Sequence, residues 1–402
     1  MKATTYSETI DYLDSHIHRA KDPHEGSRNI RRTKYLLRLL GNPQDKYPTI
    51  HIGGTSGKSS TSFFIAKILQ ESGYKTGLTI SPHLQVATER IQINGYFASE
   101  KEFVGLINEI KPVVEKIEEE KRWGKVGYFQ ILLAAAFLYF ARSKVDVAIV
   151  EVGIGGHYDA TNVIKPVLAV ITNVGLDHTS VLGETIEEIA RDKREIIKKG
   201  VPIITGASQK SVINLLREKA ERTDAPFIVI NTKGQMTYSK ANAILAQTAA
   251  EQLKKIGFTN ITRKNVNQVL ATTFLPGRLE IVSRNPIIIL DAAHNIDKMH
   301  ALVASLQNLF PESKFDIILA RAHRKHLKRM IKSLHPITKK LFLTGIKDSA
   351  KTLKKVSTRT PNGKILITGS FFLVDQIRSL YYPKIEVLEK RRYYTKVTSI
   401  PS

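Results

Sequence analysis

Short apolar runs of β type alternate with helical patterns along nearly the whole of this 402-residue chain. The runs fall at residues 49–52, 75–80, 145–151, 167–172, 201–205 and 227–230. Between them lie helical stretches such as 99–121, which opens with the capping box Ser99-x-x-Glu102, and 128–142. Parallel neighbouring strands need a long crossover, usually a helix, so this alternation predicts an α/β fold with a mostly parallel sheet covered on both faces. A second set of strands follows at 279–282, 287–290, 316–319, 340–343 and 364–367, again with helices between. Residues 272–278, with Pro276-Gly277, are the expected boundary, giving domains at 1–273 and 279–402.

Residues 51–62 read His-Ile-Gly-Gly-Thr-Ser-Gly-Lys-Ser-Ser-Thr-Ser. A strand precedes this stretch and a helical pattern follows it. Glycines let a backbone approach phosphate closely, and a helix start offers unpaired N–H groups and a positive dipole end. The arrangement predicts a P-loop ATPase domain, with Gly54, Thr55, Ser56, Gly57, Lys58, Ser59 and Ser60 on the nucleotide. Lys58 would reach the outer phosphates, and a hydroxyl of Ser59 or Ser60 would face Mg2+. The spacing is short, because the standard G-x-x-x-x-G-K-[ST] pattern would put its first glycine at Ile52.

Hydrophobic residues make up 42% of the chain, enough for a real core, and there is no cysteine. Residues 1–18 lack an apolar signal core, and the run 131–141 is too short to span a bilayer and reads as a buried helix. A cytoplasmic protein without a membrane partner is expected. Net charge is +24 and pI about 9.9. Residues 321–364 hold fourteen Lys or Arg and one acid, Asp348. The tract has few aromatics and no nucleic-acid signature, so it reads as a solvated face rather than a nucleic-acid site.

Further candidates stand where strands end, the usual place for ligands in open α/β sheets. Glu151 closes the run 147–150 and is followed by Gly153, Gly155 and Gly156, which suits a carboxylate serving Mg2+. Asp177 and His178 follow the run 168–171, and His178 is a candidate second metal ligand. In the helical stretch 185–199, Lys193 falls on the apolar stripe of Ile186, Ile189, Ala190, Ile196 and Ile197. A lysine there must snorkel, pair with an acid or lose its charge, and carbamylation by carbon dioxide is one way to lose it. In the second domain, Arg278 and His294 suit phosphate contacts, and Asp291 suits a ribose hydroxyl or an orienting hydrogen bond. A nucleotide clamped between two domains would account for them.

Taken together, the chain resembles the folylpolyglutamate synthase and dihydrofolate synthase branch of the Mur ligase family. The resemblance runs in order from about Arg31 to Arg378. It is carried by Leu40-Gly-Asn-Pro-Gln, the glycine stretch, Ser81-Pro-His-Leu with Glu89-Arg-Ile-Gln-Ile-Asn-Gly95, Glu151-Val-Gly-Ile-Gly-Gly, Asp159-Ala-Thr-Asn162, Leu176-Asp-His-Thr179, Leu275-Pro-Gly-Arg278, Asp291-Ala-Ala-His-Asn295 and Ile367-Thr-Gly-Ser370. It implies an ATPase domain plus a smaller Rossmann-like C-terminal domain. It implies a ligase that uses ATP to turn a dihydropteroate or folate carboxylate into an acyl phosphate, which the amino group of L-glutamate attacks. Lys58 would contact phosphates; Ser59, Ser81, Glu151 and His178 would serve Mg2+; Lys193 matches the family's carbamylated lysine, whose carboxylate-like anion would also bind Mg2+. Lys58, His178 and Lys193 are therefore the expected catalytic set, and Asn242, Arg278, Asp291 and His294 the further ATP contacts. A monomer acting on small molecules is expected.

Four departures stand out. Ser56 and Ser59 replace the usual Asn and Gly of the glycine stretch. Gln130 stands where a carboxylate is usual, and Asp192-Lys-Arg-Glu195 where Glu-Lys-Ala-Gly is usual. Ala320-Arg-Ala-His-Arg-Lys-His326 lacks the acids of the family's loop. These leave the acceptor open, with a Mur-type ligase for another acceptor, or a nucleic-acid-stimulated ATPase, as alternatives.

Overall fold

A computed structural model describes residues 2–17, 26–231, 237–321 and 324–397, the side chains of 324–326 excepted. The loop 320–326 thus lies partly outside the described residues. By contact the chain forms two units. The first comprises Met1–His83, Ala87–Asn231 and Asn242–Val269; the second comprises Leu84–Val86, Thr232–Ala241 and Leu270–Ser402.

The first unit is built on eight strands: β1 Thr49–Gly53, β2 Thr76–Thr79, β3 Gln92–Ile93, β4 Tyr96–Phe97, β5 Val147–Glu151, β6 Pro166–Ile171, β7 Ile203–Thr205 and β8 Phe227–Val229. Their order is β4-β3-β2-β5-β1-β6-β7-β8. Strands β2, β5, β1, β6, β7 and β8 pair in parallel; only the short β3 and β4 run antiparallel. The middle strands β1 and β5 are buried along their whole length, as a sheet covered on both faces requires. Helix Tyr128–Arg142 is buried from Gln130 to Leu138 and again at Phe140, and packs with helix Glu100–Glu119 in one apolar cluster. No helix among the described residues is long and apolar enough to cross a membrane.

Among its described residues the second unit has five strands: β9 Glu280–Arg284, β10 Ile287–Leu290, β11 Phe315–Ala320, β12 Thr338–Thr344 and β13 Lys364–Thr368. Their order is β12-β11-β13-β10-β9, all parallel except the edge strand β9.

Two labels given to these sheets need correcting. The second unit is not a Rossmann domain. Its first strand forms an antiparallel hairpin with the second, where the dinucleotide fold has two parallel mononucleotide halves. Nor is the first unit a P-loop ATPase domain of the standard kind. Ile52, where the motif's first glycine belongs, is an interior residue of β1, and only Gly54–Gly57 separate strand from helix.

Candidate active site

Parallel pairing brings several carboxyl ends to one edge of the first sheet. The glycine turn follows β1, Ser81 follows β2, Glu151 ends β5, and residues 172–178 follow β6. The turn depends on its glycines. Gly54 has φ +136, and a Cβ there would lie 2.0 Å from Thr172 Oγ1; Gly57 has φ +81, and a Cβ there would meet Asn242 Oδ1 at 2.2 Å. Segment 172–175 holds the turn from the side. Asn173 accepts from the Ser56 amide at 2.9 Å and donates to Ser56 Oγ at 2.7 Å, while Thr172 Oγ1 donates to the Ser56 carbonyl at 2.6 Å. Thr55 N donates to Asn173 O at 3.0 Å. The following helix, Lys58–Glu71, has no side-chain cap, so its first amides face the turn without an internal partner.

Six expected residues, Lys58, Ser59, Ser60, Ser81, Glu151 and Lys193, stand here. Lys58 Nζ and Lys193 Nζ each donate to the Gly54 carbonyl oxygen at 3.1 Å. The Glu151 side chain is buried; it accepts from Ser59 Oγ and from the Ser81 amide, both at 2.9 Å. Ser60 is buried in the first helical turn. Lys193 does not snorkel, being only 4% exposed. Burial, reinforced by the Lys58 charge, pushes its ammonium down to about 7. Its helix, Ile186–Lys193, stops at that residue and passes into a short 3-10 turn, Arg194–Ile196, earlier than the apolar stripe predicts. At Gly156 a Cβ would lie 2.9 Å from Lys193 Cα, so the glycine loop packs against the helix end with no room for a side chain.

His178 is more peripheral. It is exposed, takes φ +51, and starts the short helix Thr179–Leu182. Among the described residues no three His, Cys, Asp or Glu side chains form a metal cluster. Mg2+ does not need one, since it keeps several waters and takes one or two carboxylates plus substrate phosphate. The hard oxygens of Glu151 and Ser59 fit that habit.

The loop after Glu151 has its own brace, built on the Asp159-Ala-Thr-Asn162 motif, to which sequence reasoning gave no role. Asp159 is buried and accepts from the Ile154 and Thr161 amides at 2.9 Å and from Thr161 Oγ1 at 2.5 Å. Thr161 Oγ1 also meets His51 Nε2 at 2.8 Å. Burial raises the Asp159 carboxyl and lowers the His51 imidazole to about 3. Gln130 explains its own departure. Its Oε1 accepts from Arg32 Nε at 2.8 Å and the Gly127 amide at 2.9 Å, and its Nε2 donates to Thr33 Oγ1 at 2.6 Å and Asn29 O at 3.1 Å. A glutamate could not make the last two bonds.

In the second unit Arg278, Asp291 and His294 also meet. Asp291, 2% exposed, accepts from the Leu279 amide at 3.0 Å, the Ala293 amide at 2.9 Å and the Tyr238 hydroxyl. Burial raises its carboxyl against the pull of Arg278. His294 Nδ1 donates to the Ala292 carbonyl at 2.8 Å, leaving Nε2 to accept from Lys298 at 3.1 Å. The Arg278 guanidinium lies 4.8 Å from the Phe371 ring centroid, and the His294 ring 5.4 Å from it. Tyr238 and Phe371 were invisible to sequence reasoning, because an isolated aromatic looks like core.

Known proteins can now be set beside this geometry. The Mur ligase middle domain matches residues 124–281, and the Mur ligase glutamate ligase domain matches residues 277–378. A dihydrofolate synthase/folylpolyglutamate synthase of Bacillus subtilis is 34% identical, over 86% of this chain and 93% of its own. The chain belongs to the folylpolyglutamate synthase and dihydrofolate synthase branch of the Mur ligase family. An FPGS–AMPPCP–folate complex superposes with TM-score 0.84 at 31% identity, covering 94% of this chain and 99% of that one. Mycobacterium tuberculosis folylpolyglutamate synthase complexed with ADP gives 0.82 at 26%, covering 94% and 98%. The Mur ligase domains replace the P-loop ATPase and Rossmann labels: the fold is α/β and multidomain, of the Mur ligase ATP-binding type.

Proposed function

We infer that this chain is an ATP-dependent ligase that joins a folate or dihydropteroate carboxylate to the amino group of L-glutamate. The observation that carries this is the meeting of Lys58, Lys193, Ser59 and Glu151 around the glycine turn, in a chain alignable over most of its length with enzymes of that name. Residues 1–273 would hold nucleotide and acceptor, and 279–402 would form the glutamate ligase domain.

A carboxylate is a poor electrophile at neutral pH, so the acceptor must first be activated. ATP gives its terminal phosphoryl group to the carboxylate, leaving ADP and an acyl phosphate. The glutamate nitrogen attacks that carbonyl, phosphate departs, and the amide forms with loss of a proton. The chain's part is to position the reactants and neutralise developing charge. Lys58 and the uncapped amides of helix Lys58–Glu71 meet the phosphates. Arg278, His294 and Asn242 add further nucleotide contacts, and Asp291 fixes the Arg278 turn. Glu151, Ser59, Ser81 and His178 would hold Mg2+, which would supply charge neutralisation at the phosphates. Buried Lys193 is placed for carbamylation: its neutral amine adds to carbon dioxide and releases a proton, replacing a cation by an anion beside Lys58.

The test is ADP release measured against a panel of acceptors, with product mass determined. Glutamate-dependent ADP formation with dihydropteroate or a folate, and a product heavier by one glutamyl residue, is the expected result. Activity only with a non-pterin acceptor, or only with nucleic acid, would overturn it.

A further inference from the structure

Arg378 is 1% exposed, and each nitrogen of its guanidinium donates a hydrogen bond. Nε donates to the Glu280 carboxylate at 3.0 and 3.1 Å, one terminal nitrogen donates to Gln85 Oε1, and the other to the Tyr394 carbonyl at 3.2 Å. The Tyr382 ring lies beneath it, 4.3 Å from centroid to guanidinium carbon. Gln85 is held in turn, its amide donating to Tyr382 O at 2.8 Å and Ser379 Oγ at 3.0 Å.

A buried ion pair is a costly way to fill a core, and apolar residues of the same volume often serve stability better. This pair has another connection. Glu280 Oε2 also accepts from the Gly277 amide at 2.9 Å. Gly277 and Leu279 flank Arg278, with φ +69 and +48. A leucine at positive φ persists only where its surroundings over-determine it. Restraints among the described residues include Glu280 on the Gly277 amide, Asp291 on the Leu279 amide, the Ala292 amide on the Gly277 carbonyl at 3.0 Å, and Arg278 Nη1 on the same carbonyl at 3.0 Å. The first of these depends on a carboxylate that is paired with Arg378.

We propose that Arg378 and Gln85 are positioning residues for Arg278. Arg378 pairs with the Glu280 carboxylate and holds it aimed at the Gly277 amide. Gln85 locks the guanidinium from the other side, as a neutral acceptor that does not compete with Glu280. The turn then presents Arg278 over Phe371 in one orientation, ready for an anionic ligand. The proposal rests on the nucleotide role given to Arg278 above.

Steady-state kinetics on the full-length enzyme test it, with the thermal midpoint measured in parallel. Arg278→Ala should raise the KM for ATP at least tenfold. Gln85→Leu and Arg378→Lys should raise it roughly three- to tenfold, with less than about a twofold change in kcat or in the KM for glutamate. Gln85→Glu, which draws Arg378 away from Glu280, should do so more strongly than Gln85→Leu. If Arg378→Lys fails to fold, Gln85→Leu still decides the matter, since it leaves the ion pair intact. A lower thermal midpoint with an unchanged KM for ATP in Gln85→Leu, while Arg278→Ala raises that KM, would make Arg378 and Gln85 purely structural. An unchanged KM in Arg278→Ala would instead remove the nucleotide role of Arg278 itself.

Discussion

Two lysine side chains on one carbonyl oxygen would repel each other if both carried a proton, and burial makes that repulsion worse. Lys58 and Lys193 stand in that relation at Gly54, and conversion of one to an anion would relieve it. Lys193→Ala should lose at least about a hundredfold in kcat, and millimolar acetate should restore part of it by supplying the missing carboxylate. No recovery with acetate, and an unmodified Lys193 by mass in the intact enzyme, would show that the amine itself acts. Gly54 admits no side chain at all. Gly54→Ala combines φ +136 with a 2.0 Å contact to Thr172 Oγ1, so roughly 2–4 kcal/mol of stability should be lost along with ADP formation. His51 sets a pH limit. Its imidazole titrates near 3 when folded and near 6.5 when unfolded, so below 6.5 the unfolded chain binds the extra proton. Stability should fall as pH drops from about 6.5 towards 3, by an amount on the order of 5 kcal/mol, and His51→Gln should flatten that slope in urea titrations.

At the scale of elements, the strands were legible because buried parallel strands are continuous apolar runs, and capping boxes marked the helix starts at Ser99 and Thr185. Strand order was not. Whether β1 lies beside β5 or β2 is decided by long-range packing, and the antiparallel β9–β10 hairpin has the same local pattern as a parallel pair. Helix length at Lys193 was misjudged for a similar reason. Ile196 and Ile197 are buried as the stripe requires, but after the helix has ended, where Gly156 of another segment packs close to Lys193. The brace residue Asn173 carries no sequence signal beyond lying after a strand, and Asp159 appeared only as part of a family motif, with no role read from it. Asn173 is nevertheless predicted to matter. Asn173→Ala removes both side-chain bonds to Ser56 and should raise the KM for ATP by roughly five- to thirtyfold, equivalent to about 1–2 kcal/mol, with little effect on global unfolding. An unchanged KM would mean that the glycine turn holds its shape alone.

At the scale of the whole molecule, +24 is the least explained number. Much of it is gathered in the second unit, where helices Arg324–Leu334 and Ser349–Arg359 flank the edge strand β12. Lys328, Arg329, Lys332, Lys339, Lys340, Lys347, Lys351, Lys354, Lys355 and Arg359 are all exposed there. Lysines on an edge strand discourage pairing with another chain, which accounts for Lys339 and Lys340 without any ligand. The rest create a positive field, and every substrate of the inferred reaction is an anion. Such a field raises encounter rates and is screened within about 8 Å at physiological salt. The kcat/KM for ATP and for a polyglutamylated folate should therefore fall as salt rises, with kcat at saturation nearly constant. A quadruple variant, Lys351→Glu, Lys354→Glu, Lys355→Glu and Arg359→Glu, should flatten that dependence and leave the thermal midpoint within a few degrees, since all four side chains point to solvent. The steeper slope is expected for the polyglutamylated acceptor, whose charge grows with each turnover. Equal slopes for mono- and polyglutamylated acceptors would reduce the basic face to edge protection and solubility.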